Sequence, residues 1–99
     1  MPLSTNGAAL RLKDDDNVAV CLHAVTAASE LVFGDLHVHA AADIPLGHKI
    51  ALRPIGVGER VVKYGQSIGK ASIPIQTGEH VHVHNVESIR GRGDLRETT

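Results

Sequence analysis

Ile75-Gln76-Thr77-Gly78-Glu79-His80-Val81 has the form Ile-x-x-Gly-x-x-Ile/Val. The same form occurs at Ile44-Pro45-Leu46-Gly47-His48-Lys49-Ile50 and at Ile55-Gly56-Val57-Gly58-Glu59-Arg60-Val61. A weaker copy, Val25-Thr26-Ala27-Ala28-Ser29-Glu30-Leu31, carries Ala28 where the others carry glycine. Each copy reads as a turn entering a strand. The leading Ile or Val anchors the loop in the core, and the glycine supplies a positive φ. The unit is far shorter than a solenoid repeat. It therefore reports a compact β domain that uses one turn device several times.

Working outward, strands are expected at 8–12, 17–22, 31–33, 36–40, 49–52, 61–63, 68–73 and 79–84. Tyr64-Gly65-Gln66-Ser67 is expected as a hairpin turn, and Lys13-Asp14-Asp15-Asp16-Asn17 as a solvated charged turn. No helical period extends beyond about two turns. Residues 1–7 read as a flexible end, 8–88 as the domain, and 89–99 as a flexible, glycine-containing tail or linker. The Arg92-Gly93-Asp94 triplet is treated as coincidental.

Composition agrees with this architecture. The chain has 99 residues, 42% of them hydrophobic, with 11 Val and 7 Ile against 9 Leu. β-Branched residues suit a pleated, half-buried surface. A barrel of eight βα units needs about 250 residues and is excluded. A single Phe, a single Tyr and no Trp argue against a stacking platform for single-stranded nucleic acid. The net charge of −1 leaves no polycationic face for duplex nucleic acid or an acidic membrane. No apolar run approaches a membrane span. Cys21, the one cysteine, sits in Val18-Ala19-Val20-Cys21-Leu22 and reads as a buried small hydrophobe. With no signal-like N-terminus, the expected location is the cytoplasm.

Seven histidines stand out, and five of them fall in two clusters. In Glu79-His80-Val81-His82-Val83-His84-Asn85, strand alternation puts His80, His82 and His84 on one face. Val81 and Val83 then point into the core. Two His at i and i+2 can converge on one metal at ~2.1 Å each, with further ligands from another strand or chain. Asp35-Leu36-His37-Val38-His39 matches a first-strand amidohydrolase motif, but that family needs the excluded barrel. His37 and His39 are therefore read as an exposed strand face. The histidine run also lacks the spacings of a cupin motif. His48, Lys49, Lys63 and Tyr64 sit at loop–strand junctions, where sites are usually built.

Four motifs in order resemble the small domain of the altronate/galactarate dehydratase family. They are Asp15-Asp16-Asn17-Val18-Ala19, Ile44 to Ala51, Lys63-Tyr64-Gly65-Gln66-Ser67-Ile68-Gly69-Lys70-Ala71, and Gly78 to Asn85. The resemblance implies a mainly β, SAF-like β-clip fold of short strands and tight turns with little helix. In that family the domain is either the N-terminal part of a long enzyme or a separate small subunit; the resemblance thus implies the small subunit of a sugar-acid hydro-lyase, acting with a separate large subunit and not active alone. A relative eliminates sulfite from sulfolactate, and a non-catalytic binding or assembly module is the other alternative. The resemblance further implies a divalent metal, Fe(2+) first, with His82 and His84 as its ligands. His48, Lys49, Lys63 and Tyr64 are then catalytic candidates, and Lys49 and Asn85 bind substrate. The expected partners are the large catalytic subunit and a sugar acid. Exposed strand edges also allow pairing with a second copy. The His37–His39 pair departs from the family pattern, as does Ala28.

Overall fold

A computed structural model describes residues 9–88. The flexible ends expected at 1–7 and 89–99 lie outside the described residues. Among the described residues, nine short strands form three antiparallel sheets: β1 (Ala9–Leu10), β2 (Val18–Cys21), β3 (Glu30–Phe33), β4 (Leu36–His39), β5 (Lys49–Ala51), β6 (Arg60–Lys63), β7 (Gln66–Ala71), β8 (His80–Val81) and β9 (Val86–Glu87). The central sheet runs β1-β2-β5-β8, and it is flanked by the β3–β4 hairpin and by β6-β7-β9. No helix among the described residues is long and apolar enough to cross a membrane. The expected mainly β, SAF-like architecture is what forms.

The repeated turn organises all of it. Val25, Ile44, Ile55 and Ile75 are buried, and they bridge in pairs, Val25 with Ile44 and Ile55 with Ile75. Each pair closes the base of one hairpin, β3–β4 or β6–β7. The fourth residue of each turn has φ between +73° and +88° (Ala28, Gly47, Gly58, Gly78). In every copy its N–H donates to a carbonyl 2.8 Å away: Ala40, Cys21, Ala71 and Ala51 respectively. Ala28 thus adopts the conformation its glycine counterparts adopt, at a cost of roughly 1–2 kcal/mol of left-handed strain. Ala28→Gly relieves that strain and returns roughly 0.5–1 kcal/mol through the freer unfolded chain. The expected result is a urea midpoint equal to or above wild type, with an unchanged slope.

Alternation along the central strands divides the core in two. In β5 the side chain of Ile50 joins the cluster of Cys21, Leu31, Phe33, Val38 and Ile44, and Ala51 joins Val18, Val61, Ile75 and Val81. Neighbouring strand residues face opposite ways, so the central sheet is covered on both faces. Burial among these apolar groups pushes the Cys21 thiol up to about 11.

Four expectations need correction. Lys13–Asn17 is not wholly a solvated turn, because Asp16 and Asn17 are buried. The Asp16 carboxylate accepts the N–H groups of Leu12, Lys13 and Gly65. The Asn17 amide accepts from Val62 N–H at 2.7 Å and donates to Arg60 O at 2.9 Å. That amide fills the register break between Val61 and Val62 in the β6–β7 ladder. The hairpin turn is shorter than expected: Tyr64 and Gly65 alone take positive φ, and the strand resumes at Gln66. That strand also stops short of the expected end, so Ile73 lies outside it.

The largest correction concerns the histidine run. The strand expected over 79–84 ends at Val81. Val83 is not core but 80% exposed at a turn tip. The Asn85 side chain causes this. It accepts from His82 N–H and donates to His80 O, both at 2.9 Å, in place of ladder bonds to a further strand.

Candidate functional site

Antiparallel pairing of β5 with β8 sets the site. Lys49 lies opposite Val81, and Ile50 opposite His80. One step further in the same register, His48 lies opposite His82. Directly opposed side chains on one face are close neighbours, and diagonal ones remain within reach. The His48 and His82 rings accordingly stack with centroids 3.8 Å apart and planes 16° apart. His48 Nδ1 and His80 Nε2 share a hydrogen bond of 2.8 Å, one nitrogen donating and the other accepting.

His48, His80 and His82 each offer a ring nitrogen within 4.8 Å of the others, and all three are half-buried. His84 lies beside His80, with ring centroids 5.0 Å apart, but outside that group. His23, His37 and His39 are exposed elsewhere. Of the His82–His84 pair expected as ligands, the structure places His82 in the three-imidazole group and His84 at its edge. His80 and His48 complete it. The signal for His48 was its position after a turn glycine. The contact itself depends on pairing across 32 residues of sequence.

Burial and neighbouring charge favour the neutral forms of His80 and His82. Burial holds His80 below the ordinary range, and the charges of His84, His48, His82 and Lys49 add to the effect. Burial also lowers His82, with His48, Lys49 and His84 contributing. Neutral imidazole is the form that binds metal. Among the described residues, the buried His82 Nδ1 has no hydrogen-bond partner. Three ring nitrogens within 4.8 Å of one another fit a divalent transition ion better than they fit a hydrophobic contact.

The other expected residues surround this group unevenly. Lys49 is half-buried beside His82 in a groove also lined by Ile68, Val83 and Val86. Burial lowers its ammonium below the usual lysine range, and the charge of Lys63 adds to this. Lys63 lies at the end of β6 with its Nζ 5.2 Å from the Tyr64 ring centre. Asn85 is 3% exposed, and both ends of its amide hold the backbone of His80 and His82. The structure thus gives Asn85 a positioning role. A second groove, lined by Ala41, Ile73, Glu79, His80 and His84, opens beside the first.

Residues 7–89 match the family described as the altronate/galactarate dehydratase SAF domain. The chain is 38% identical over 79 residues to altronate dehydratase of Bacillus subtilis, covering 80% of this chain and 16% of that protein. It is 41% identical over 73 residues to altronate dehydratase of Escherichia coli, covering 74% and 15% respectively. It is 45% identical over 56 residues to the (2R)-sulfolactate sulfo-lyase subunit alpha of Paracoccus pantotrophus, covering 57% of this chain and 84% of that subunit. The chain therefore spans about a sixth of the altronate dehydratases it matches. The three-imidazole group lies inside the matched region, and the chain belongs to the altronate/galactarate dehydratase SAF domain family.

Proposed function

We propose that this domain is the small SAF subunit of a sugar-acid hydro-lyase of the altronate or galactarate type, working in the cytoplasm with a large catalytic subunit. The observation that carries this reading is the convergence of His48, His80 and His82 at the end of the β5–β8 pair, in a domain matching only 16% of an altronate dehydratase. Dehydration of a hydroxy acid needs a base for the proton α to the carboxylate, stabilisation of the resulting enediolate, and an acid for the departing hydroxyl. His48, His80 and His82 would hold a divalent ion, with Fe(2+) as the expected one. When bound, that ion supplies Lewis-acid stabilisation of developing oxyanion charge. Lys49 stands beside the group with a lowered pKa, suited to pairing with a substrate carboxylate. Lys63 adds positive charge near it. Tyr64, under the Lys63 ammonium, is a further proton-carrying candidate.

The surface around the histidines supports a face covered by a partner. Val83, Ile73 and Ile68 are exposed apolar side chains in or beside the two grooves that flank the group. Val83→Asp sits at a turn tip and leaves the core intact, so it is expected to abolish co-purification with the large subunit without changing the thermal midpoint.

The similarity to a sulfo-lyase subunit alpha supports a second substrate class, in which sulfite leaves in place of water. The deciding experiment co-expresses the chain with a large subunit homologous to the remainder of the altronate dehydratases. Elimination is then assayed on altronate, galactarate and sulfolactate. The proposal expects turnover only when both chains are present. Full turnover by the large chain alone, or association without turnover on any of the three, would leave a binding or assembly module.

A further inference from the structure

We infer a second metal-binding site on the outer face of the β3–β4 hairpin, formed by Glu30, His37 and His39 and suited to a divalent transition ion such as Zn²⁺. Nothing in the hydro-lyase reading uses these residues. The pairing register sets Glu30 directly opposite His39 and places His37 two residues away on the same strand face. The intervening Val38, with Leu31 and Phe33, is buried in the core. The hairpin backbone is therefore anchored, and the three polar side chains project together from its exposed side.

The Glu30 carboxylate already lies near both imidazoles. Glu30 Oε2 lies 2.9 Å from His37 Nδ1 and 4.0 Å from His39 Nε2. A tetrahedral ion with bonds of about 2.0–2.2 Å separates its ligand atoms by roughly 3.3–3.5 Å. The two carboxylate distances bracket that value, but the three donor atoms do not all lie within 4.8 Å of one another, so closing the site requires the exposed His37 and His39 side chains to rotate toward each other. Two imidazoles and a carboxylate on one face leave the remaining positions of the ion open to water or to another ligand. This is the donor set of the two-histidine, one-carboxylate facial arrangement.

The test is a Zn²⁺ titration of the metal-stripped chain by calorimetry, with parallel NMR of the histidine ring nitrogens. The double variant His37→Ala/His39→Ala changes only exposed side chains and is expected to bind one equivalent fewer than wild type. Glu30→Gln keeps both imidazoles, and should weaken that equivalent by at least the ~10-fold that loss of an outer partner already costs a metal site. The His37 and His39 ring nitrogens should shift on Zn²⁺ addition. Equal stoichiometry for wild type and the double variant, or unshifted His37 and His39 rings, overturns the inference. The comparison is a difference of one equivalent, so it holds whether or not His48, His80 and His82 bind an ion.

Discussion

Gly78→Ala is expected to abolish cooperative folding. Gly78 has φ +88°, and a Cβ placed there overlaps the carbonyl oxygen of His39. That neighbour is backbone, so no side-chain rotation relieves the overlap. Ala41 N–H donates to Gly78 O at 2.8 Å, and Gly78 N–H donates to Ala51 O at 2.8 Å. The residue therefore ties the β3–β4 hairpin to the central sheet, and shifting it breaks both links. Left-handed strain alone costs roughly 1–2 kcal/mol. With the overlap and the lost bonds, the total exceeds the ~4–5 kcal/mol that marks an exceptional substitution. A domain of this size has only about 5–15 kcal/mol of stability. Gly58→Ala is the matched control, with φ +84° and open space around its Cβ. It should cost only the strain. Urea denaturation followed by circular dichroism separates the two, and similar midpoints for both variants would contradict the steric account.

The same pair of positions shows what the sequence makes legible. The turn unit is readable at all four copies because an anchoring Ile or Val and a positive-φ residue recur at fixed spacing. Ala28 takes its place in that scheme despite lacking the glycine. What pattern alone does not reveal is the difference between Gly58 and Gly78, since it lies in what another hairpin brings beside each Cβ. The histidine run shows the converse. His-Val-His-Val-His alternates as a strand should, yet one buried side chain, Asn85, replaces the ladder after Val81 and turns Val83 outward. Asn17 acts similarly at the β6 register break. Buried amides that bond to backbone far away or around a turn have no periodic signature. The His82 position in the site was legible from local spacing. The contribution of His48 required the β5–β8 register, which no local pattern encodes.

The identity of the imidazoles proposed to hold a metal gives the second large effect. His48→Ala combined with His82→Ala removes two of the three converging nitrogens, and His84→Ala removes a ring outside the group. The double variant is expected to lose divalent-metal binding at this site by more than the ~10–100-fold that an outer-shell change costs. On the proposed function, elimination by the assembly with the large subunit should be lost with it. His84→Ala should keep both close to wild type. Its ring packs beside His80, and its charge lowers rather than raises the basicity of the group. Protonation competes with metal for these nitrogens. Because burial depresses His80 and His82, that competition begins below the ordinary histidine range near 6.5. Metal uptake should therefore persist to lower pH than at an exposed histidine pair, and the double variant should lose that acid-resistant component. If His84→Ala instead eliminated uptake while His48→Ala/His82→Ala retained it, the ligands would follow strand spacing, and the register-built group would be a packing feature of the β5–β8 edge.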